Sequence, residues 1–254
     1  MTAKDLAAQR VRIEETLRAL GLTRMAETYR DHAARAEKEN LAPVDFLDRI
    51  IAEEASARFA RRVARRVARA RFPVVKTIDT YDWTHPTKID HQRILDLFDM
   101  RWVEEKRNVI FIGGTGLGKS HLASSLAHAA CQKGISVLFT TAIDAVNQLG
   151  AALSDGSFLR RLKTYTQPQV LVLDELGYLP VDKQGADLIF QLVSHRYERG
   201  SIVLTTNRIF KHWGQIFIDS TIAAAVVDRL ATHSEVLVIE GTSFRVKHQE
   251  TPES

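Results

Sequence analysis

Residues 108–130 read NVIFIGGTGLGKSHLASSLAHAA. A short apolar run, a glycine-rich turn and an amphipathic helical pattern follow one another without a break. Gly113 to Ser120 matches the phosphate-binding pattern GxxxxGK[ST], with a strand before it and a helix after it. The glycines let backbone N–H groups converge on a phosphate, and the helix N-terminus adds its positive end. Lys119 is placed to reach β- and γ-phosphates, and the Ser120 hydroxyl to ligate Mg²⁺. The expected nucleotide contacts are therefore Gly113, Gly114, Thr115, Gly116, Leu117, Gly118, Lys119, Ser120 and the adjoining His121, with ATP and Mg²⁺ as cofactors.

Working outward, short apolar runs recur at Val137–Thr140, Val170–Leu173, Ile202–Thr205 and Val236–Ile239, besides Val109–Ile112 itself. Helical patterns lie between them, near 119–132, 143–153, 184–199 and 221–232. Uniformly apolar strands joined by helices predict a parallel five-stranded sheet covered on both faces, an α/β domain. The run 170–173 continues into Asp174-Glu175. An aspartate at the carboxyl end of a buried strand beside a phosphate loop is positioned to hold the magnesium. Glu175 then has the reach to polarise an attacking water as general base. The run 202–205 leads to Asn207, which either orients that water beside the γ-phosphate or simply ends a strand.

Before residue 72 the texture is different. Residues 4–71 hold one proline, one glycine and many Ala, Leu, Arg and Glu, and Gly21 and Asn40–Pro43 divide them into helices near 4–19, 23–38 and 44–71. This predicts a small all-helical N-terminal domain over 1–72. An irregular connector follows over 73–88, and helical periodicity resumes from Ile89 to Trp102. Met1–Phe72 carries 16 Lys/Arg against 11 Asp/Glu, while the remainder has 19 against 20, so the whole basic excess is N-terminal. Seven arginines and no acid stand between Ala57 and Phe72. Six of them, Arg58, Arg61, Arg62, Arg65, Arg66 and Arg69, fall within about 140° of helical arc. Such a stripe fits phosphates of duplex DNA, in a salt-dependent and sequence-independent way, or a solvated face paired with acids of another subunit.

The 254 residues contain 45% hydrophobic and 26% charged residues, an ordinary globular composition. No apolar run approaches the ~18–20 residues of a membrane span. The opening MTAKDLAAQR lacks a secretory apolar stretch, and the one cysteine, Cys131, excludes an internal disulfide or a thiolate metal cluster. The expectation is a cytoplasmic protein without a membrane partner. His121 and His128 pack or cap rather than bind metal, and Cys131 is a small buried apolar residue. Trp83 covers a nucleotide base or sits in the core under the connector. The Tyr178–Pro180 loop is a candidate subunit contact.

With a phosphate loop, an acid-pair strand and a strand ending Thr-Thr-Asn, the chain resembles an AAA+ ATPase. LDELGYLP (173–180), VSHRYERGSIVLTTN (193–207), WGQIF (213–217), DRL (228–230) and EGTSFR (240–245) resemble the IstB family of insertion-sequence helper ATPases, relatives of the DnaC helicase loaders. The resemblance implies an AAA+ domain over 89–248, followed by a tail over 249–254. It implies that Arg229 is an arginine finger reaching a neighbouring subunit's γ-phosphate, and that Arg245 touches the phosphates in cis. A planar guanidinium suits developing phosphoryl charge. Phe244 stands where many relatives have Tyr. The family implies a homo-oligomer that assembles on double-stranded DNA with ATP and stimulates the transposase of the same element. The DnaC relatives deliver a helicase instead. A small-molecule kinase would need a substrate pocket and lid that the sequence does not supply. A DNA-binding module with a vestigial phosphate loop conflicts with the intact Lys119, Ser120, Asp174 and Glu175.

Overall fold

The computed structural model describes residues 2–178, 181–217 and 219–244. They fall into two compact units, divided between Arg65 and Arg66.

The first unit is helical: α1 (Ala3–Ala19), α2 (Thr23–Glu39) and the greater part of α3 (Pro43–Ala70). Thr2 caps α1 reciprocally with Asp5, its hydroxyl accepting the Asp5 N–H while the Asp5 carboxylate accepts the Thr2 N–H at 2.9 Å. Asn40 closes α2 in the left-handed conformation, and Pro43 opens α3 where its missing N–H costs nothing. Glu54 is the buried acid of this unit. It accepts from the Met25 N–H at 2.9 Å, Arg58 Nε at 3.0 Å and Arg61 Nη2 at 3.1 Å. Burial pushes its carboxyl up, but the Met25 and Arg24 backbone and the Arg58 guanidinium more than offset that and hold it below the usual carboxylate range.

The second unit contains the expected parallel sheet. Its strands are β1 (Asn108–Gly113), β2 (Val137–Thr141), β3 (Val170–Leu176), β4 (Ser201–Thr206) and β5 (Ser234–Ile239), in the order β2-β3-β4-β1-β5. Every pairing is parallel. The apolar runs are uniform because both faces are covered: Val109, Ile110, Phe111, Val170, Leu171, Val172, Val203 and Leu204 are fully buried. After the short α4 (His91–Asp96) and α5 (Arg101–Glu104) come α6 (Lys119–Gln132), α7 (Ala142–Ser154), α8 (Phe158–Thr166), α9 (Lys183–Arg196), α10 (Gly214–Phe217) and α11 (Ser220–Ala231). One core gathers α6 residues such as Leu126 and Cys131 on one face of the sheet. The other gathers Leu149, Leu192 and Trp213 on the opposite face. Cys131 is buried as expected, and burial pushes its thiol up to about 11.

The helices depart from expectation in places, the short α10 among them. The helical period from Ile89 to Trp102 is interrupted, because Met100 takes a left-handed φ of 71° between a 3₁₀ turn (Leu97–Asp99) and α5. Trp102 Nε1 then donates to the Leu97 carbonyl at 2.9 Å. The helix α8 was not anticipated; it buries only Leu162 and Tyr165 and leaves Leu159, Arg160 and Lys163 exposed.

The N-terminal ends of β3 and β4 are tied to α9 by Arg196, which is 1% exposed. Its guanidinium donates to the carbonyls of Tyr165, Pro168, Gln169 and Ser201 at 2.7–3.0 Å, and burial pushes it below the usual arginine range. The carboxyl ends of all five strands share the other edge of the sheet, where open α/β sheets bind ligands.

Candidate functional site

At that edge lies a cleft of ≈ 510 Å³. The loop Thr115–Ser120, the acids Asp174 and Glu175, and the connector residues Pro73, Lys76 and Thr80–Asp82 line it, together with Phe139, Tyr178 and Phe244. The phosphate loop, the acid pair and the connector, far apart in sequence, therefore share one opening.

The loop is clamped from two sides. Gly118 has φ +80°, and a Cβ there would lie 2.6 Å from the Tyr81 ring. Tyr81 also donates its hydroxyl to the Leu117 carbonyl at 3.2 Å, and burial, with Asp82 nearby, pushes that hydroxyl up to about 12, so it stays a donor. On the other side the Phe244 N–H donates to the Gly116 carbonyl at 3.1 Å. Residues 85–88 run antiparallel to this second segment through the Lys88–Glu240 bridge, and the His85 ring lies 2.7 Å from the Thr242 carbonyl.

Lys119 is 3% exposed. Its ammonium donates to the Gly114 carbonyl at 2.6 Å and lies 3.4 Å from the Tyr178 hydroxyl. Ser120 Oγ donates to Asp174 Oδ1 at 2.9 Å. Asp174 is 6% exposed, whereas Glu175 is exposed to the cleft. Between the two acids stands Thr205 of β4, whose hydroxyl donates to Asp174 Oδ1 and accepts the Glu175 N–H at 2.9 Å. Thr205 belongs to the Thr-Thr-Asn strand end that carries the resemblance, but the sequence alone assigns its hydroxyl no role.

The strand order sets β4 between β3 and β1, so Asn207 follows the strand flanked by the acid pair and by the loop. Its Oδ1 is buried without a hydrogen-bond partner among the described residues. Asn207 itself does not line the cleft. The buried Lys119 Nζ, the partly buried Ser120 Oγ and the two carboxylates fit a magnesium nucleotide chemically.

Other expected residues stand elsewhere. His121 lines the cleft, but its Nε2 lies 2.9 Å from the Thr77 carbonyl and 3.2 Å from Thr80 Oγ1, so it fastens the connector. Trp83 does not line the cleft; its ring packs on His91 at 3.9 Å and Tyr81 at 4.8 Å. Arg229, near the end of α11, lies over the Phe190 ring at 4.8 Å and away from its own cleft. Arg245 lies outside the described residues, and of the Tyr178–Pro180 loop only Tyr178 is described. Among the stripe arginines, Arg58 and Arg61 are engaged by Glu54, and Arg58 also donates to the Gly21 carbonyl at 2.9 Å. Arg65 Nε donates weakly to the Arg61 carbonyl, while Arg62, Arg66 and Arg69 have no such partner among the described residues.

A family profile described as IstB-like ATP binding protein matches residues 15–252. The chain belongs to the IstB-like ATP-binding family. Among curated relatives of this IstB-like chain, the ATP-binding protein named for insertion sequence IS5376 of Geobacillus stearothermophilus is 37% identical over 95% of this chain and 96% of its own. Its counterpart named for IS232 of Bacillus thuringiensis is 36% identical over 91% and 92%. The one named for IS21 of Pseudomonas aeruginosa is 38% identical over 85% and 81%. Among solved structures, the DnaC helicase loader superposes with a TM-score of 0.53 at 29% identity, over 65% of this chain and 96% of that one. A DnaA replication initiator bound to AMPPCP and single-stranded DNA gives 0.53 at 17% identity, over 67% and 51%, a likeness of fold alone. The IstB-like chain therefore carries an AAA+ phosphate-loop domain behind its helical segment. No described helix of it is long and apolar enough to cross a membrane.

Proposed function

We propose that this IstB-like chain is a DNA-dependent ATPase that assembles on duplex DNA and presents it to the transposase of its own insertion sequence. The observation that carries the hydrolytic part is the convergence of Lys119, Ser120, Asp174 and Glu175 on one cleft. In this reading the loop amides of Gly113–Gly118 and Lys119 bind the phosphates, and Ser120 and Asp174 hold Mg²⁺, which supplies charge neutralisation at the transferred group. Glu175 takes the proton of the attacking water, and Asn207 orients that water with its spare Oδ1. Arg229 of the next protomer and Arg245 of the same one neutralise the developing phosphoryl charge. The distance of Arg229 from its own cleft supports supply in trans and hence a homo-oligomer.

The helical segment 1–72 would bind DNA and mediate assembly, with 73–88 as connector and 89–248 as the ATPase domain of a cytoplasmic protein. Arg62, Arg65, Arg66 and Arg69 are the stronger candidates for phosphate contact, since Arg58 and Arg61 already serve Glu54.

The likeness to the DnaC loader favours a second reading, delivery of a replicative helicase onto single strands. Particle mass by light scattering with a duplex of ~60 bp, many times the site of one module, under ATP, ADP and no nucleotide, separates the two. A large ATP-dependent assembly on duplex that weakens with salt is the expected result. A small oligomer indifferent to duplex would overturn it in favour of the helicase loader.

A further inference from the structure

In a regular strand successive side chains point to opposite faces, so adjacent acids such as Asp174 and Glu175 would not both meet one ligand. Here both line the same cleft. The register explains how. Leu173 stands opposite Leu204 and Leu176 opposite Thr206, so two residues of β3 face the single Thr205 of β4. This is a β-bulge, the device that re-aims a side chain beside an active site. Glu175 carries the distortion, with a left-handed φ of 62° in a residue other than glycine.

The bulge takes the Glu175 N–H out of the regular ladder. Its partner is the hydroxyl of Thr205, a fully buried residue, at 2.9 Å. The same hydroxyl donates its own proton to Asp174 Oδ1, the oxygen that also accepts from Ser120 Oγ. One side chain thus fixes the backbone of the candidate general base and the orientation of the candidate magnesium ligand. Valine, which fits an apolar strand equally well, could do neither.

We infer that Thr205 is a positioning residue for ATP hydrolysis, holding the β3 bulge so that Asp174 and Glu175 address the same nucleotide. The inference rests on the hydrolytic reading above. It adds a role that touches neither nucleotide nor water and acts through the two acids.

The test compares the full chain with Thr205→Val, which removes the hydroxyl at constant shape, and Thr205→Ser, which restores it. Three quantities are read: affinity for a fluorescent ATP analogue, kcat and KM for ATP, and hydrogen exchange of the Glu175 amide without nucleotide. Thr205→Val is expected to keep nucleotide affinity and KM and to lose about 10–100-fold in kcat, the usual weight of a residue that orients a metal ligand. Its Glu175 amide should exchange about tenfold faster, while amides of β1 stay protected. Thr205→Ser should recover both. If the valine variant does not fold, Thr205→Ala removes the same hydroxyl and is read the same way.

Unchanged kcat in a folded hydroxyl-free variant, with the wild type active, would overturn the role of Thr205 and leave the ATPase reading standing. So would unchanged Glu175 exchange, or loss of turnover that serine does not recover. A wild-type chain that binds ATP without turning it over would remove the ATPase reading itself, and the role of Thr205 with it.

Discussion

Ser120 Oγ and Asp174 Oδ1, 2.9 Å apart, join the first turn of α6 to the end of β3 across the intervening β4. The phosphate loop and the acid pair are thus linked by side chains and not only by sharing a sheet. Removing the Glu175 carboxyl, which takes no part in that link, therefore acts on chemistry more than on binding. Glu175→Gln is expected to bind ATP normally and to lose about 10²–10⁴-fold in turnover, the usual weight of a general base. The variant should persist on DNA as an ATP-bound assembly. Lys119→Ala should lose nucleotide binding outright. Phosphate release and equilibrium binding on the same preparations check both, and unchanged turnover in the glutamine variant would remove Glu175 from its role.

Gly118→Ala should damage the loop more than a single methyl suggests. The new Cβ would meet the Tyr81 ring at 2.6 Å, and φ +80° is strained for alanine by about 1–2 kcal/mol. We expect about a 5–30-fold loss of nucleotide affinity from that strain, together with a lower melting temperature. Tyr81→Phe should be mild, since it deletes only the bond to the Leu117 carbonyl. Calorimetric titration with a non-hydrolysable analogue distinguishes the two.

The arginine stripe should divide by partner. Glu54→Ala leaves Arg58, Arg61 and the Met25 amide without their acceptor and should destabilise the helical unit by about 2 kcal/mol. The Glu54 carboxyl sits below its ordinary 4.5 in the folded state. Its stabilisation is therefore present above that pH and is lost as pH falls through the folded value. Melting curves between pH 3 and 7, flatter in Glu54→Gln than in wild type, would show this. Arg62→Ala and Arg69→Ala should leave melting unchanged, weaken duplex binding and reduce its salt slope by about one per contact. Equal loss of DNA affinity in all six alanine variants would contradict the division.

Arg229 offers a test of shared sites. Arg229→Ala alone and Glu175→Gln alone should both be poor ATPases with intact ATP affinity. Mixed in equal amounts they should recover activity, to about a quarter of wild type for random neighbours, because an intact site can then meet an intact arginine. Absence of recovery in a mixture shown to co-assemble would place Arg229 outside the active site.

The sheet and the phosphate loop were legible because their signals are local. Five apolar runs, a glycine-rich turn and an acid pair each declare themselves within a few residues, and strand ends fell within two or three residues of expectation. The arrangement around them was not, because it depends on contacts between distant residues. Tyr81 against Gly118, Phe244 against Gly116 and Thr205 against Asp174 link positions 31 to 128 residues apart. The helix α8 escaped because its apolar residues are few and a basic, half-exposed surface looks like a loop. Glu54 escaped because it lies just upstream of the acid-free stretch that drew attention to the arginines. One helical turn was enough to bring it to Arg58.

The strand leading to the phosphate loop takes both its neighbours from later in the chain: Val109 pairs with Val203 on one side and Glu235 on the other. The Gly116 carbonyl waits still longer, for Phe244. During synthesis, then, the signature at 113–120 leaves the ribosome long before it is a site. A nascent chain halted before β4 would carry β1 with both edges bare, exposed to pairing with other strands. Nucleotide affinity should accordingly arrive late and abruptly in a ladder of stalled lengths, as the last strand and the segment behind it emerge.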